Sequence, residues 1–240
     1  MTTQNKYSRA SKLALTVSLL VILVACSKPA VETRKEPAKT GPQISPQEIE
    51  MLQVAAKGEN ARVKELLDKG VNVNMRGTDR NTPIMEAAYA GHLDTVKLLL
   101  DHGADLSAKK NDGATPGGLT HSKEITELFK NVSALVEAAG KGASPLVKEL
   151  IDKGTPVNAL DQNGRTALAE ASWNGKTDTV KLLLEKGADP TIKKSDGATP
   201  VELANGQKHA DIVALLNEAI SKRAQGSASP ASATTTPAAK

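Results

Sequence analysis

Few residues in this 240-residue chain could do chemistry, and their spacing groups none of them into a site. The histidines are His92, His102, His121 and His209, and no interval among them matches a metal-ligand spacing. No HExxH, GxSxG, Walker A or paired-cysteine motif occurs. The carboxylates are scattered along what read as solvated faces. We therefore expect no enzyme, no cofactor and no metal. His92, after Gly91, suits a local hydrogen bond, and His102, before Gly103, suits the negative end of a helix dipole. Cys26 is the one cysteine, so no intramolecular disulfide can form. It closes the apolar run LALTVSLLVILVA (13–25), which follows Lys6, Arg9 and Lys12. The run is shorter than the roughly 20 residues of a membrane-spanning helix. A basic start followed by such a run is the pattern of a targeting segment.

Leu23-Val24-Ala25-Cys26 resembles a bacterial lipobox, and residues 1–25 resemble a lipoprotein signal peptide. The resemblance implies cleavage before Cys26, a diacylglycerol on its sulfur and an acyl chain on its new amino group. Several acyl chains, at about 0.8 kcal/mol per buried CH₂, anchor stably where one would not. An uncleaved signal anchor with a chance cysteine is the alternative. Ser27, where enterobacterial lipoproteins kept at the inner membrane carry Asp, implies sorting to the outer membrane. The expected location is thus the outer membrane, lipid-anchored, with the remaining chain facing the periplasm.

Residues 26–45 read as the lipidated cysteine and a disordered tether, rich in Pro, Lys and Glu. The tether would reach ~60 Å at full extension. Residues 221–240, ending in SASPASATTTPAAK, read as a disordered tail. Between them, residues 46–220 hold 21 basic and 25 acidic residues, a net charge of −4. Tyr89, Phe129 and Trp173 are the only aromatics after residue 25. A mildly acidic, aromatic-poor region argues against nucleic-acid binding. Its apolar content is Ala, Leu, Val and Ile, which suits short, closely packed helices.

A repeat organises this region. TPIMEAAYAGHLDTVKLLLDHGADLSAKK (82–110) aligns with TALAEASWNGKTDTVKLLLEKGADPTIKK (166–194). A period of 33 separates Val63 from Val96, Thr82 from Thr115, Val147 from Val180 and Val180 from Val213. The Thr-Pro start and this period resemble the ankyrin repeat. The resemblance implies an all-α solenoid of about six helix-turn-helix units joined by hairpin loops. Thr82 is placed to cap an inner helix, and Pro83 to occupy its first turn. Ala87 and Ala88 are small enough for inner helices to approach closely. Gly91 reverses the chain, and Val96, Leu98, Leu99 and Leu100 form the apolar side of an outer helix.

The third unit is truncated. Gly117 and Gly118 each weaken its inner helix by roughly 1 kcal/mol relative to Ala. Its outer helix, EITELFK, runs into NVSALVEAAG with no hairpin between them. The phrase KKNDGATP (109–116) returns as KKSDGATP (193–200), and KELLDKG (64–70) returns as KELIDKG (148–154) at the same offset. That offset falls short of three full periods. The region is two copies of a three-unit cassette, 46–130 and 131–220, each shortened at their boundary. That boundary is either a hinge or a scar of duplication. Arg80 stands where the turn favours glycine, so the second hairpin is expected to be irregular. Met85, Gly118, Ala169 and Glu202 stand where the family carries histidine, so the usual inter-unit hydrogen bonds should be missing.

The resemblance implies binding of another protein through inner helices and hairpin tips. Carried over by position, this face holds Arg80, Asn81 and Tyr89 in the second unit. In the fifth it holds Gln162, Asn163, Arg165, Trp173 and Asn174. Tyr89 and Trp173 occupy the same cassette position and are either binding anchors or packing on the adjacent helix. Lys109-Lys110 and Lys193-Lys194 either steer an acidic partner or are simply solvated. A monomer is expected. With a periplasmic location, the most concrete expectation is an immunity protein that sequesters a periplasm-acting antibacterial toxin, such as a type VI secretion phospholipase. The alternatives are an envelope scaffold or stress-related adaptor for a resident periplasmic enzyme, and a structural envelope component.

Overall fold

The computed structural model describes residues 44–226; the signal segment, Cys26, most of the tether and residues 227–240 lie outside the described residues. Eleven helices occur among the described residues. They are α1 (Pro46–Lys57), α2 (Asn60–Asp68), α3 (Pro83–Ala90), α4 (Leu93–Asp101), α5 (Pro116–Leu119) and α6 (Lys123–Lys141), then α7 (Ser144–Asp152), α8 (Ala167–Trp173), α9 (Thr177–Glu185), α10 (Pro200–Gly206) and α11 (Ala210–Gly226). None is long and apolar enough to cross a membrane.

Local chemistry starts and stops these helices. Ser45 caps α1 in a reciprocal box with Glu48, with Pro46 in the first turn and Gly58 in the left-handed conformation at the end. Thr115, Thr166 and Thr199 accept from the amides of Gly118, Ala169 and Glu202. Thr82 does not behave as expected: its hydroxyl is buried without a hydrogen-bond partner among the described residues. The Met85 amide goes to the Thr82 carbonyl instead, at 3.0 Å.

The helices form two layers. In the inner layer α1 packs on α3 and α3 on α5; further along, α6 packs on α8 and α8 on α10. In the outer layer α2 packs on α4 and α4 on α6, while α7 packs on α9 and α9 on α11. Helix α6 therefore belongs to both layers. Its first half is the outer helix of the third unit, burying Ile125, Leu128 and Phe129. Its second half is the inner helix of the fourth, burying Leu135, Ala138 and Ala139. The inner helix of the third unit is reduced to four residues, PGGL. The core divides along α6: one cluster runs from Met51 to Val132 and takes in Ala159, and a second runs from Leu135 to Leu216. Each fully buried Leu or Ile contributes roughly 1.5–3 kcal/mol, and neither cluster closes without α6.

Four hairpins among the described residues line one edge of the stack, and all close alike. The amide of Gly77 donates to the Asn81 carbonyl at 2.9 Å, and that of Arg80 to Gly77 at 2.9 Å. Residues 110–114, 161–165 and 194–198 repeat both bonds. The second hairpin is therefore regular, contrary to expectation. Arg80 takes φ 58°, and the two closing bonds hold it there with its side chain in solvent.

The missing hairpin between the third and fourth units is healed rather than left open. Its two flanking hairpins meet: the Leu106 amide donates to the Leu160 carbonyl and the Leu160 amide to Ala104, both at 3.2 Å, forming a parallel bridge at Asp105 and Leu160. Asn158 adds a bond from its side-chain amide to the Asp101 carbonyl at 3.1 Å. Bonds between units are also present without the family's histidine. Thr95 donates to Asn60 at 2.6 Å, Thr177 to Asp211 at 2.6 Å, and His92 Nε2 to the Ala56 carbonyl at 3.1 Å. At the far end α11 continues past residue 220, where a disordered tail was expected. Arg223 in its last turns reaches Asp189 in the preceding hairpin at 2.8 Å.

Candidate protein-binding face

The inner helices and hairpins place the expected residues in two separate groups, one in each cassette. Both groups start from a hairpin that leads into a short inner helix. In the second unit Tyr89 sits near the end of α3, 66% exposed. It follows the buried pair Ala87 and Ala88, which let α3 press against α1. Position 89 thus points away from the helix layer that its neighbours bury. Asn81 is half-buried and donates to the Glu86 carboxylate. Arg80 is exposed at the hairpin tip.

In the fifth unit Trp173 ends α8, 46% exposed. Both aromatics keep a large exposed surface, Tyr89 more than Trp173. Around Trp173 lies a polar network that is absent from the second unit. Its centre is Asp161, 1% exposed. One carboxylate oxygen accepts the amides of Asn163 and Arg165, both at 2.9 Å. The other accepts the Arg165 guanidinium at 2.8 and 3.2 Å and the Asn163 side-chain amide at 3.4 Å. Arg165 also lies 3.3 Å from Glu170. Its hydrogen bond to Asp161 holds the guanidinium pKa above its ordinary value. Glu170 in turn takes the Asn174 amide on its backbone carbonyl at 2.8 Å and on its carboxylate at 3.3 Å. Its stem lies over Gly140 of α6, where a Cβ would approach to 2.7 Å.

The network has two consequences. Arg165 and Asn163 are pre-positioned, so binding through them would lose little rotamer freedom. Arg165 also spends most of its donors inside the protein, which leaves Trp173 and Gln162 as the freer contacts. Asp161 and Glu170 were not anticipated from the sequence. The available signal was their company: an acid two positions before Asn163 and four before Arg165. Of the lysine pairs, Lys110 sits 3.3 Å from Asp79 and Lys194 3.0 Å from Asp196, whereas Lys109 and Lys193 are exposed. Among the described residues, no group of three or more His, Cys, Asp or Glu is placed to hold a metal ion. The face offers shape, aromatic surface and fixed polar groups.

A family model described as ankyrin repeats (3 copies) matches residues 20–116, 118–194 and 135–226. No curated protein matches the chain.

Proposed function

This chain belongs to the ankyrin-repeat family, a protein–protein interaction module, and we propose that it acts as a membrane-anchored periplasmic lipoprotein that binds another protein. The observation that carries the binding reading is the pair of solvent-presented aromatics, Tyr89 and Trp173, at one cassette position. A Trp or Tyr held in solvent on a rigid helix end is a favoured binding anchor, because it contributes large area with few rotamers to lose. The lipobox-like LVAC and the apolar run before it support the anchor at Cys26 and the periplasmic location.

Within that reading, the partner we propose is a periplasm-acting antibacterial toxin, and the role is immunity. A membrane-tethered inhibitor stands where an incoming envelope-directed toxin must act. The proposal is tested by deleting the gene and growing the mutant against wild-type sister cells on solid medium. The expected result is loss of survival that disappears when the sisters' secretion apparatus is disabled. Equal survival, with a resident envelope enzyme recovered on the domain, would replace the toxin with the adaptor reading. Replacing Tyr89 and Trp173 together with Ala should weaken capture by about a hundredfold, the sum of two modest anchors. Unchanged affinity in the folded double variant would remove the aromatic anchors from the account.

A further inference from the structure

The truncated unit leaves a socket. In three of the four units that start with such a hairpin, the second residue after the Thr that precedes the inner helix is a large apolar one: Ile84, Leu168 and Val201. Ile84 and Leu168 are fully buried and fill the space between neighbouring units. In the third unit that position is Gly117. The four-residue α5 supplies nothing else to fill the space. The result is a cavity of about 300 Å³ between α5, α6 and the adjoining hairpins. Buried Leu106 and Phe129 contribute its apolar surface, and Lys109, Lys130 and Gln162 stand at its rim. Its lining contains no acidic residue.

We propose that this cavity receives one large apolar side chain from a partner segment whose flanking residues are acidic. The volume lies at the low end for ligand pockets and suits one side chain with its adjoining backbone. The charge at the rim selects the flanks. Lys109 makes no ion pair among the described residues. Lys130 has only an exposed contact to Glu127 at 3.5 Å, which a buried partner carboxylate would outcompete. The site is also rigid: the Lys109 carbonyl accepts from Arg76 at 3.2 Å, and Leu106 is bonded to Leu160 across the healed boundary. Gln162, at the tip of the adjoining hairpin, supplies an amide for the inserted segment's backbone. The inference rests on the protein-binding reading and adds the chemistry of what is bound.

The test uses Gly117→Leu. A Cβ at position 117 would meet Gln162 and Phe129 at 3.9 Å, an ordinary contact, so a side chain can start from this position toward the cavity. Short displayed peptides would be selected on the folded wild-type domain and counter-selected on Gly117→Leu. The expected survivors carry Leu, Ile, Met or Phe beside Asp or Glu. They should lose about tenfold or more in affinity on Gly117→Leu and on the surface variant Lys109→Glu/Lys130→Glu, which leaves the core intact. They should bind Tyr89→Ala/Trp173→Ala within about twofold, since additivity holds for independent sites. Survivors lacking acidic residues, or none that distinguish wild type from Gly117→Leu, would overturn the socket. If the domain still captures a protein through Tyr89 and Trp173, the socket alone falls and the binding reading stands.

Discussion

The hairpins at 77–81 and 161–165 are copies of one another, and they are held by different physics. Gly77 corresponds to Asp161, Arg80 to Gly164 and Asn81 to Arg165, each pair at the offset that separates the two cassettes. In the second copy a buried carboxylate collects two backbone amides and a guanidinium. In the first copy Asn81 and Glu86 make a single side-chain bond, and Arg80 takes the left-handed conformation that Gly164 adopts at φ 68°. Their neighbours account for the difference. Gly164 lies under Ser195, where a Cβ would fall 2.0 Å from the serine oxygen. Ser195 reaches past it to Asp105 at 2.6 Å, across the cassette boundary. The corresponding Asn111 instead bonds Asp79 in the turn of the first hairpin. The one letter separating KKNDGATP from KKSDGATP thus follows the surroundings: the second copy had a boundary to close and the first did not.

The largest expected effect comes from breaking the element both copies share. Ser133 lies in α6 between the two core clusters. Ser133→Pro removes the amide bond to Phe129 and clashes with that carbonyl, at about 3 kcal/mol or more. Because stack stability is a sum of nearest-neighbour terms, the two cassettes should then melt separately. Urea unfolding followed by circular dichroism should change from one transition to two. A single transition at unchanged midpoint would mean that the paired hairpins, and not α6, carry the coupling.

Next comes Asp161→Ala. It removes the acceptor of two backbone amides and leaves Arg165 with only Glu170, at 3.3 Å. We expect a loss of about 3 kcal/mol, or about 6–12 °C in Tm for a domain of this size. The first copy has no such network to lose, because the corresponding residue is Gly77. A fall in Tm below about 2 °C would show that water replaces the network.

Much of this architecture was legible in the sequence because it is periodic. Thr-Pro, the Ala pair and the Leu runs each report a local requirement that recurs with every unit, so the layers and the truncated third unit could be read directly. The compressed offset between the cassettes revealed the lost hairpin. It did not reveal what closes the gap. Asp105, Leu160 and Ser195 belong to three different hairpins far apart in sequence, and no local pattern says that they meet. The same limit applied to the site. Tyr89 and Trp173 stood out by type and position, whereas Asp161 and Glu170 matter through contacts made only after folding. Arg80 misled for a different reason: a left-handed arginine is unfavourable by about 1–2 kcal/mol, and two backbone bonds outweigh that.

The glycine pair gives a smaller and sharper test. Gly164→Ala combines the left-handed penalty with displacement of Ser195 from Asp105, and should destabilise by about 2 kcal/mol. Arg80→Gly relieves the penalty in the first copy but loosens the unfolded chain, so a gain of about 0.5 kcal/mol remains. Both values are read from urea midpoints. A loss at Gly164→Ala no larger than the gain at Arg80→Gly would mean that the boundary contact contributes nothing.

The smallest effect separates the outer helices of the cassettes. Asp152 in α7 accepts from Lys148 at 2.8 Å and from Lys186 of α9 at 2.6 Å. These hydrogen bonds lower its carboxyl pKa from 3.8 to about 2. The aligned positions in the first cassette are Asp68 and His102, and His102 turns its ring to the Leu98 carbonyl at 2.8 Å instead of reaching back to Asp68. A depressed folded-state pKa makes the Asp152 contribution fully present above about 3.8 and lost as pH falls toward about 2. Wild type and Asp152→Asn should therefore differ in midpoint at pH 6, and most of that difference should be gone by pH 2. The groups are solvent-exposed, so added salt should shrink the difference at pH 6. A difference between wild type and Asp152→Asn that is undiminished at pH 2 would assign the effect to helix packing and leave the α7–α9 ion pairs without a stabilising role.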